Sequence, residues 1–265
     1  MPSSNIFHSI AHCICGPKPK QSKSTSAIEP NITRTMAPIV LILGAGPRTG
    51  ASVADKFASS GYKVAVVSRS GTGSKNDKGY LALKADFTKP DSIPALFDTV
   101  NSELGSAPSV VIYNASALSP PPDKESVLSI SADSVVSDLN VNVVSPYVAA
   151  QQAVKAWETL PADTKKTFIY TGNILNQAVI PVPLMQNLGI GKSASAYWVG
   201  LADTTYAAKG FRFFYADERH ADGKLKGMAL DGPAHGDFYP QLASHPENVP
   251  WQATFVKDKG YVSFK

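Results

Sequence analysis

At 265 residues, with 43% hydrophobic and 17% charged residues, the chain has the composition of a globular protein of one or two domains. No run in it approaches the ~18 to 20 apolar residues of a membrane-spanning helix. Most of the net charge of +4 falls in residues 1–36, where Lys18, Lys20, Lys23 and Arg34 face Glu29 alone, so the nearly neutral remainder lacks the basic stripe of a nucleic-acid-binding protein.

Cys13 and Cys15 lie in the same leader. The body therefore has no thiol for a disulfide framework, a metal cluster or a nucleophile; no metal site is expected, and a reducing, cytoplasmic interior is the default. The leader is rich in serine and poor in acids, and its stretch "GPKPKQSKSTS" cannot build a core. Three readings stay open for residues 1–36: a disordered tail, an overextended start upstream of Met36, or a segment for organelle import. A secretory signal is not expected, because no charged start precedes a long apolar stretch.

From residue 37 to 265 strand-length apolar runs alternate with segments of helical period. "IVLIL" (39–43) leads to a helix near 50–60, "KVAVVS" (63–68) is a second buried strand and "YLALKAD" (80–86) a third. A helix near 90–104 precedes "SVVIYNA" (109–115), and one long helix is expected over 132–157. "TFIYTG" (167–172) is followed by a helix over 187–209, "FRFFYA" (211–216) by a short helix near 233–244, and "GYVSF" (260–264) closes the chain. Such alternation implies right-handed crossovers and a parallel sheet covered on both faces. The expected fold is a single α/β domain, a Rossmann-type doubly wound parallel sheet in three α/β/α layers.

Directly after the first strand, "GAGPRTGAS" places Gly44, Gly46 and Gly50 at a strand-to-helix turn. Glycines there let the backbone approach a pyrophosphate at a helix N-terminus, and the strand-turn-helix context turns a weak motif into a dinucleotide-binding signal. The second strand ends in Ser68 and Arg69, with no carboxylate to repel a 2'-phosphate. Arg48 and Arg69 would clamp that phosphate from two sides, which favours NADP (NADPH) over NAD. The alternative for both arginines is a solvated surface role.

With these stretches the body resembles the short-chain dehydrogenase/reductase superfamily over roughly residues 38–264. Asp86 stands where members contact the adenine. "NAS" (114–116) stands where they carry Asn-Ala-Gly, so the resemblance has Asn114 stabilise the sheet while the backbone at Ala115 lines the cofactor. Arg48 occupies a position that is often glycine, a variant similar to a divergent branch found in fungi and bacteria. Some fungal members of that branch perform reductions or ring closures in secondary metabolism.

In active members an Asn, Ser, Tyr and Lys tetrad carries the chemistry, with Tyr as general acid. Asn142 matches the Asn. Pro146, four residues on, has no N–H for the Asn142 carbonyl, which is left either to hold a relay water or simply to mark a proline kink. Lys192 matches the Lys and would bind the nicotinamide ribose, unless it is a surface lysine. The serine position falls on Thr171, with Asn173 as a second donor, and neither is a clean substitute.

At the tyrosine position stands Leu188, which has no proton to give. Tyr206, Tyr197 and Tyr170 do not restore the pattern: the first is in a three-residue spacing far down the helix, the second points about 140° away from Lys192, and the third alternates to the face opposite Thr171. Asp217, Glu218 and His220 in "YADERHADG" are either proton sources or a polar surface loop. "SPPPD" (119–123) is a candidate wall of the substrate cleft, and His235 is a more distant candidate. Two functions remain open, an NADPH-dependent reductase of a small carbonyl, enone or imine, and a non-catalytic NADP(H)-binding sensor or scaffold. A small-molecule substrate is the expected partner, with no nucleic acid and no membrane, and the resemblance implies a homo-oligomer built on the long helices.

Overall fold

Runs that are apolar on both faces become the middle of one sheet. The computed structural model describes residues 36–264 and, before them, Gly16 alone; Cys13, Cys15 and the leader's charged residues lie outside the described residues. The strands are β1 (Ile39–Leu43), β2 (Lys63–Ser68), β3 (Ser74–Lys75), β4 (Leu81–Lys84), β5 (Val110–Tyr113), β6 (Lys166–Thr171), β7 (Phe211–Glu218), β8 (Gln252–Val256) and β9 (Gly260–Tyr261). They are ordered β3-β4-β2-β1-β5-β6-β7-β8-β9. The strands from β4 to β8 in that order pair in parallel, while β3 and β9 are short antiparallel edges.

Strand alternation sorts the core into two layers. Ile39, Leu41 and Leu43 face α2 (Ile93–Leu104), α4 (Ser145–Trp157) and α5 (Gln186–Tyr206). Val40 and Ile42 face α1 (Thr49–Ser59) and α6 (Gly232–Ala243). The result is the doubly wound α/β/α arrangement, with Tyr113, Tyr170 and Tyr215 stacked across β5, β6 and β7 on the first face.

Three expectations change. The long helix over 132–157 is broken: α3 (Ala132–Leu139) passes through a π-helical turn, Asn140–Val144, before α4 begins. The cause is Pro146, which cannot donate to the carbonyl one turn back. The last parallel strand is β8 rather than 260–264, of which only Gly260 and Tyr261 form the antiparallel edge. β7 continues beyond residue 216 through Asp217 and Glu218, both buried.

Candidate active site

β1 hands the chain to α1 on one face of the sheet and β5 hands it to α3 and α4 on the other, so a crevice opens between their C-terminal ends. Ligands of doubly wound sheets bind at this switch point. Gly44 makes the turn possible: its φ is +102°, in the left-handed region, and a Cβ there would run into the backbone of Asn114 and Ala115. Its N–H and that of Ala45 both donate to the Val67 carbonyl, and its own carbonyl accepts from Asn114 Nδ2 at 2.8 Å.

Gly50 is buried under the turn, where a Cβ would lie 2.8 Å from the Gly44 oxygen. Gly46 differs, since a Cβ on it would meet nothing within 4 Å, leaving its backbone open to a ligand. The α1 N-terminus has neither a side-chain cap nor an acid in its first turn, so its free N–H groups suit an anion.

These elements border a cleft of about 930 Å³. Gly44, Gly46, Ser68, Arg69, Asp86, Asn114 and Ala115 line it, joined by Pro47, Ser70 and the segment Ser116–Leu118. Asp86 accepts from the Thr88 N–H at 3.0 Å and from Thr88 Oγ1 at 2.8 Å. Those bonds, and then the charges of Lys89 and Arg69, hold its carboxyl below the usual range.

Arg48, Gly50 and Lys192 do not line the cleft. Arg48 turns away and donates to the Met228 carbonyl at 3.1 Å, so the expected clamp of two arginines reduces to Arg69 alone. Gly50 serves packing.

At the catalytic end Asn142 is fully buried. Its side chain makes a reciprocal pair with Ala117, Nδ2 donating to the carbonyl at 2.7 Å and Oδ1 accepting from the N–H at 2.9 Å. This fixes the loop after β5 against the cleft. The main-chain carbonyl that Pro146 frees is not open to a relay water, because Tyr170 Oη (2.9 Å) and Ser195 Oγ (2.8 Å) donate to it. A carbonyl has two lone pairs, and both are used.

Lys192 is not a surface lysine; only 4% of it is exposed. Its Nζ donates to the Thr171 carbonyl at 2.7 Å and lies 4.5 Å from the Tyr170 ring centre, so at least one of its three donors is directed inward. Burial lowers its pKa to about 7, against the upward pull of Asp217. The Thr171 hydroxyl is on the other face of the sheet, 2.8 Å from Tyr239 Oη of α6, and only its carbonyl meets Lys192. Asn173 is held in place by its Oδ1, which caps Leu175 N, and by Tyr215 Oη, which engages its backbone N–H and carbonyl; these bonds do not use its Nδ2, the group expected to donate.

Leu188 is buried one turn before Lys192. Of the three alternative tyrosines, Tyr197 is 77% exposed, Tyr206 packs on Phe211 and Phe213 at the far end of α5, and Tyr170 spends its hydroxyl on Asn142.

With this geometry in place, the comparisons with known proteins decide the family. The short chain dehydrogenase model matches residues 38–170. The short chain dehydrogenase/reductase dmxR12 of Cryptosporiopsis sp. (strain 8999) is 39% identical over 239 residues, spanning 86% of this chain and 95% of that one. This chain belongs to the short-chain dehydrogenase/reductase family. Members are oxidoreductases that use a nicotinamide cofactor.

Among solved structures of the family, a short-chain dehydrogenase/reductase from Serratia marcescens BCRC 10948 aligns with a TM-score of 0.63 at 16% identity, over 83% of this chain and 94% of that one. A metagenomic short-chain oxidoreductase in complex with NADP gives 0.66 at 15%, over 83% and 96%. A Brucella ovis member in complex with a partially ordered NAD gives 0.64 at 15%, over 84% and 100%. At these identities the likeness is one of fold.

Within this short-chain dehydrogenase/reductase the end of β7 holds a group of charges in place of the expected surface loop. Asp217, Glu218 and Arg219 are 0%, 1% and 3% exposed, and only His220 is at the surface. The Arg219 guanidinium lies 2.6 Å from Asp217 Oδ2 and also donates to the Gly223 carbonyl and to Gln177 Oε1. Alternation sends Glu218 to the α6 face, where it accepts from the Asp231 N–H and pairs with Lys226 at 3.1 Å. There His235, fully buried, has its Nδ1 2.7 Å from the Asp231 carbonyl and 3.6 Å from Glu218; burial lowers its pKa. His235 therefore belongs to the packing under α6 rather than to the cleft. The signal for buried Asp217 was its register: it continues the Phe213, Tyr215 alternation on the face of α5. Among the described residues no helix is long and apolar enough to cross a membrane.

Proposed function

We propose that this chain is an NADPH-dependent reductase of a small carbonyl, enone or imine, in which a proton from the buried Lys192 ammonium reaches the substrate through water in place of the one a tyrosine would otherwise give. The observation that carries this reading is the place of Lys192: an amine buried one turn from Leu188 with its Nζ 2.7 Å from the Thr171 carbonyl, where desolvation pulls its pKa down to about 7. A general acid works best when its pKa lies near the working pH. The neighbouring phenols of Tyr170, Tyr215 and Tyr239 are all spent on internal hydrogen bonds and burial raises each of them.

When bound, the reduced nicotinamide supplies the hydride. The free N–H groups of α1 and the open backbone at Gly46 suit the pyrophosphate, and Asp86 with Thr88 suits the adenine end. Ser68, Ser70 and Arg69, two hydroxyls beside one guanidinium with no carboxylate at the end of β2, suit a 2'-phosphate better than a bare ribose. Asn142 holds the Ala117 loop that borders the same cleft.

A second reading, a non-catalytic NADP(H)-binding sensor or scaffold, is favoured by Leu188 and by the Thr171 hydroxyl facing away from Lys192. The test is NADPH binding by fluorescence, followed by loss of NADPH absorbance across a panel of ketones, enones and imines. The reductase reading expects turnover that disappears in Lys192→Ala while NADPH binding persists. Tight binding without turnover on any substrate leaves the sensor, and absence of binding by NADPH and NADP+ overturns both.

A further inference from the structure

A buried ammonium needs compensation, and Lys192 has no carboxylate in direct contact. A carbonyl and an aromatic face hold it from β6. The remaining negative charge comes from the next strand. Thr171 is in register with Ala216, so Asp217 stands one step further along β7, and its side chain alternates to the face of Tyr215, which stacks on Tyr170 beneath Lys192. Asp217 Oδ2 is taken by Arg219. Its Oδ1 is buried with no donor, which is costly for a carboxylate unless a positive charge lies near.

We propose that Asp217 is the positioning residue for Lys192: its unshared carboxylate oxygen keeps the buried amine charged and drawn to the end of β6. Arg219 fixes Asp217 in turn, tying it to Gln177 and to the Gly223 carbonyl. The other groups around Lys192 do not compete for this role. Tyr170 and Tyr215 are neutral phenols raised by burial, and Glu218 faces α6 together with Lys226, His235 and Tyr239. Asp138 of α3 accepts from Ser119 N and Asn187 Nδ2.

In the reduction proposed above, on which the catalytic side of this inference rests, water gives one proton to the substrate oxygen as hydride adds to the carbonyl carbon, and the Lys192 ammonium returns a proton to that water. The neutral amine then regains a proton from solvent, and Asp217 neither gains nor loses one.

The experiment is an NMR titration of the full chain labelled with 13C at the lysine ε carbons, with Lys192 assigned by comparison with Lys192→Met. In Asp217→Asn the Lys192 midpoint should fall by about 1 to 3 pH units, the range for loss of a nearby opposite charge. Asp217→Glu should restore it, and the alkaline limb of kcat/KM should move with it. Independently of any variant, the Lys192 signal of the unmodified protein should show a second, smaller step in acid as Asp217 protonates. An unchanged midpoint in folded Asp217→Asn overturns the proposal; if that variant does not fold, absence of the acid step in the unmodified protein overturns it. Should no substrate turn over, the reductase reading falls while the titration still reports on the Asp217–Lys192 coupling.

Discussion

The buried amine of Lys192 makes the folding stability of this protein depend on pH in a window where few other groups act. Its ordinary value of 10.5 applies to the unfolded chain, and burial brings it to about 7 in the native state. Between those values the unfolded chain binds the extra proton, so stability must rise with pH. Raising the pH from about 7 to about 9 relieves about 2 kcal/mol of the cost of burying the charge. The buried histidines act earlier: His245 is pushed down to about 4, chiefly by burial, so the stability gained by shedding its proton is complete by about pH 6.5. The buried tyrosines are raised and oppose the trend only above about pH 10. Asp217, raised by burial from 3.8, works against the trend, because the native state sheds its proton at higher pH than the unfolded chain does. Urea unfolding of the full chain at three pH values across this window, with constant m, measures the slope. Lys192→Met should abolish it. A flat profile in the unmodified protein, or a slope that survives in Lys192→Met, would refute the assignment of Lys192 as a desolvated amine.

Four further outcomes test the cofactor cleft and the missing phenol. Arg69→Ala should weaken NADPH about ten- to a hundred-fold, the worth of a hydrogen bond to a charged group, and barely change NADH, as read by isothermal titration. Gly46→Val should leave thermal stability nearly unchanged, because open space surrounds the site, yet abolish dinucleotide binding by filling the approach to the turn. Gly44→Ala should instead lower stability by at least about 1 kcal/mol, since φ is +102° and the added atom meets Asn114 and Ala115. Leu188→Tyr returns a phenol one turn from Lys192 and should raise kcat on ketones by about a hundred-fold or more, with the gain lost in a Lys192→Ala background.

What could be read from the chain alone follows from how local each determinant is. β1, β2, β5 and β6 announce themselves because a strand covered on both faces must be apolar throughout. β8 does not, because Gln252 and Thr254 interrupt its apolar residues, and Thr254 is buried by a hydrogen bond to the Val262 carbonyl from the neighbouring edge. The glycine turn is legible for the same local reason: a positive φ at Gly44 and a packed helix at Gly50 are demands of the backbone itself. The direction of the Arg48 side chain is not, since it depends on a carbonyl at Met228, far along the chain.

The catalytic end divides along the same line, and the division bears on function. Pro146 foretells a free carbonyl at Asn142 because the loss of one N–H is a covalent fact, but what occupies that carbonyl, Tyr170 and Ser195, comes from β6 and α5. Likewise Asp217 and Glu218 read as surface charges only so long as their partners are unknown. Once Arg219, Lys226 and the Asp231 N–H are assembled around them, both carboxylates can be buried, and Asp217 lies on the sheet face that also carries Tyr170 and Tyr215 beneath the lysine whose tyrosine is absent. A charged amine and an unshared carboxylate oxygen in the interior are costly, and replacing buried ionic groups with apolar side chains is commonly neutral or stabilising by about 1 to 4 kcal/mol. That cost is what the proposed reductase role of Lys192 would account for.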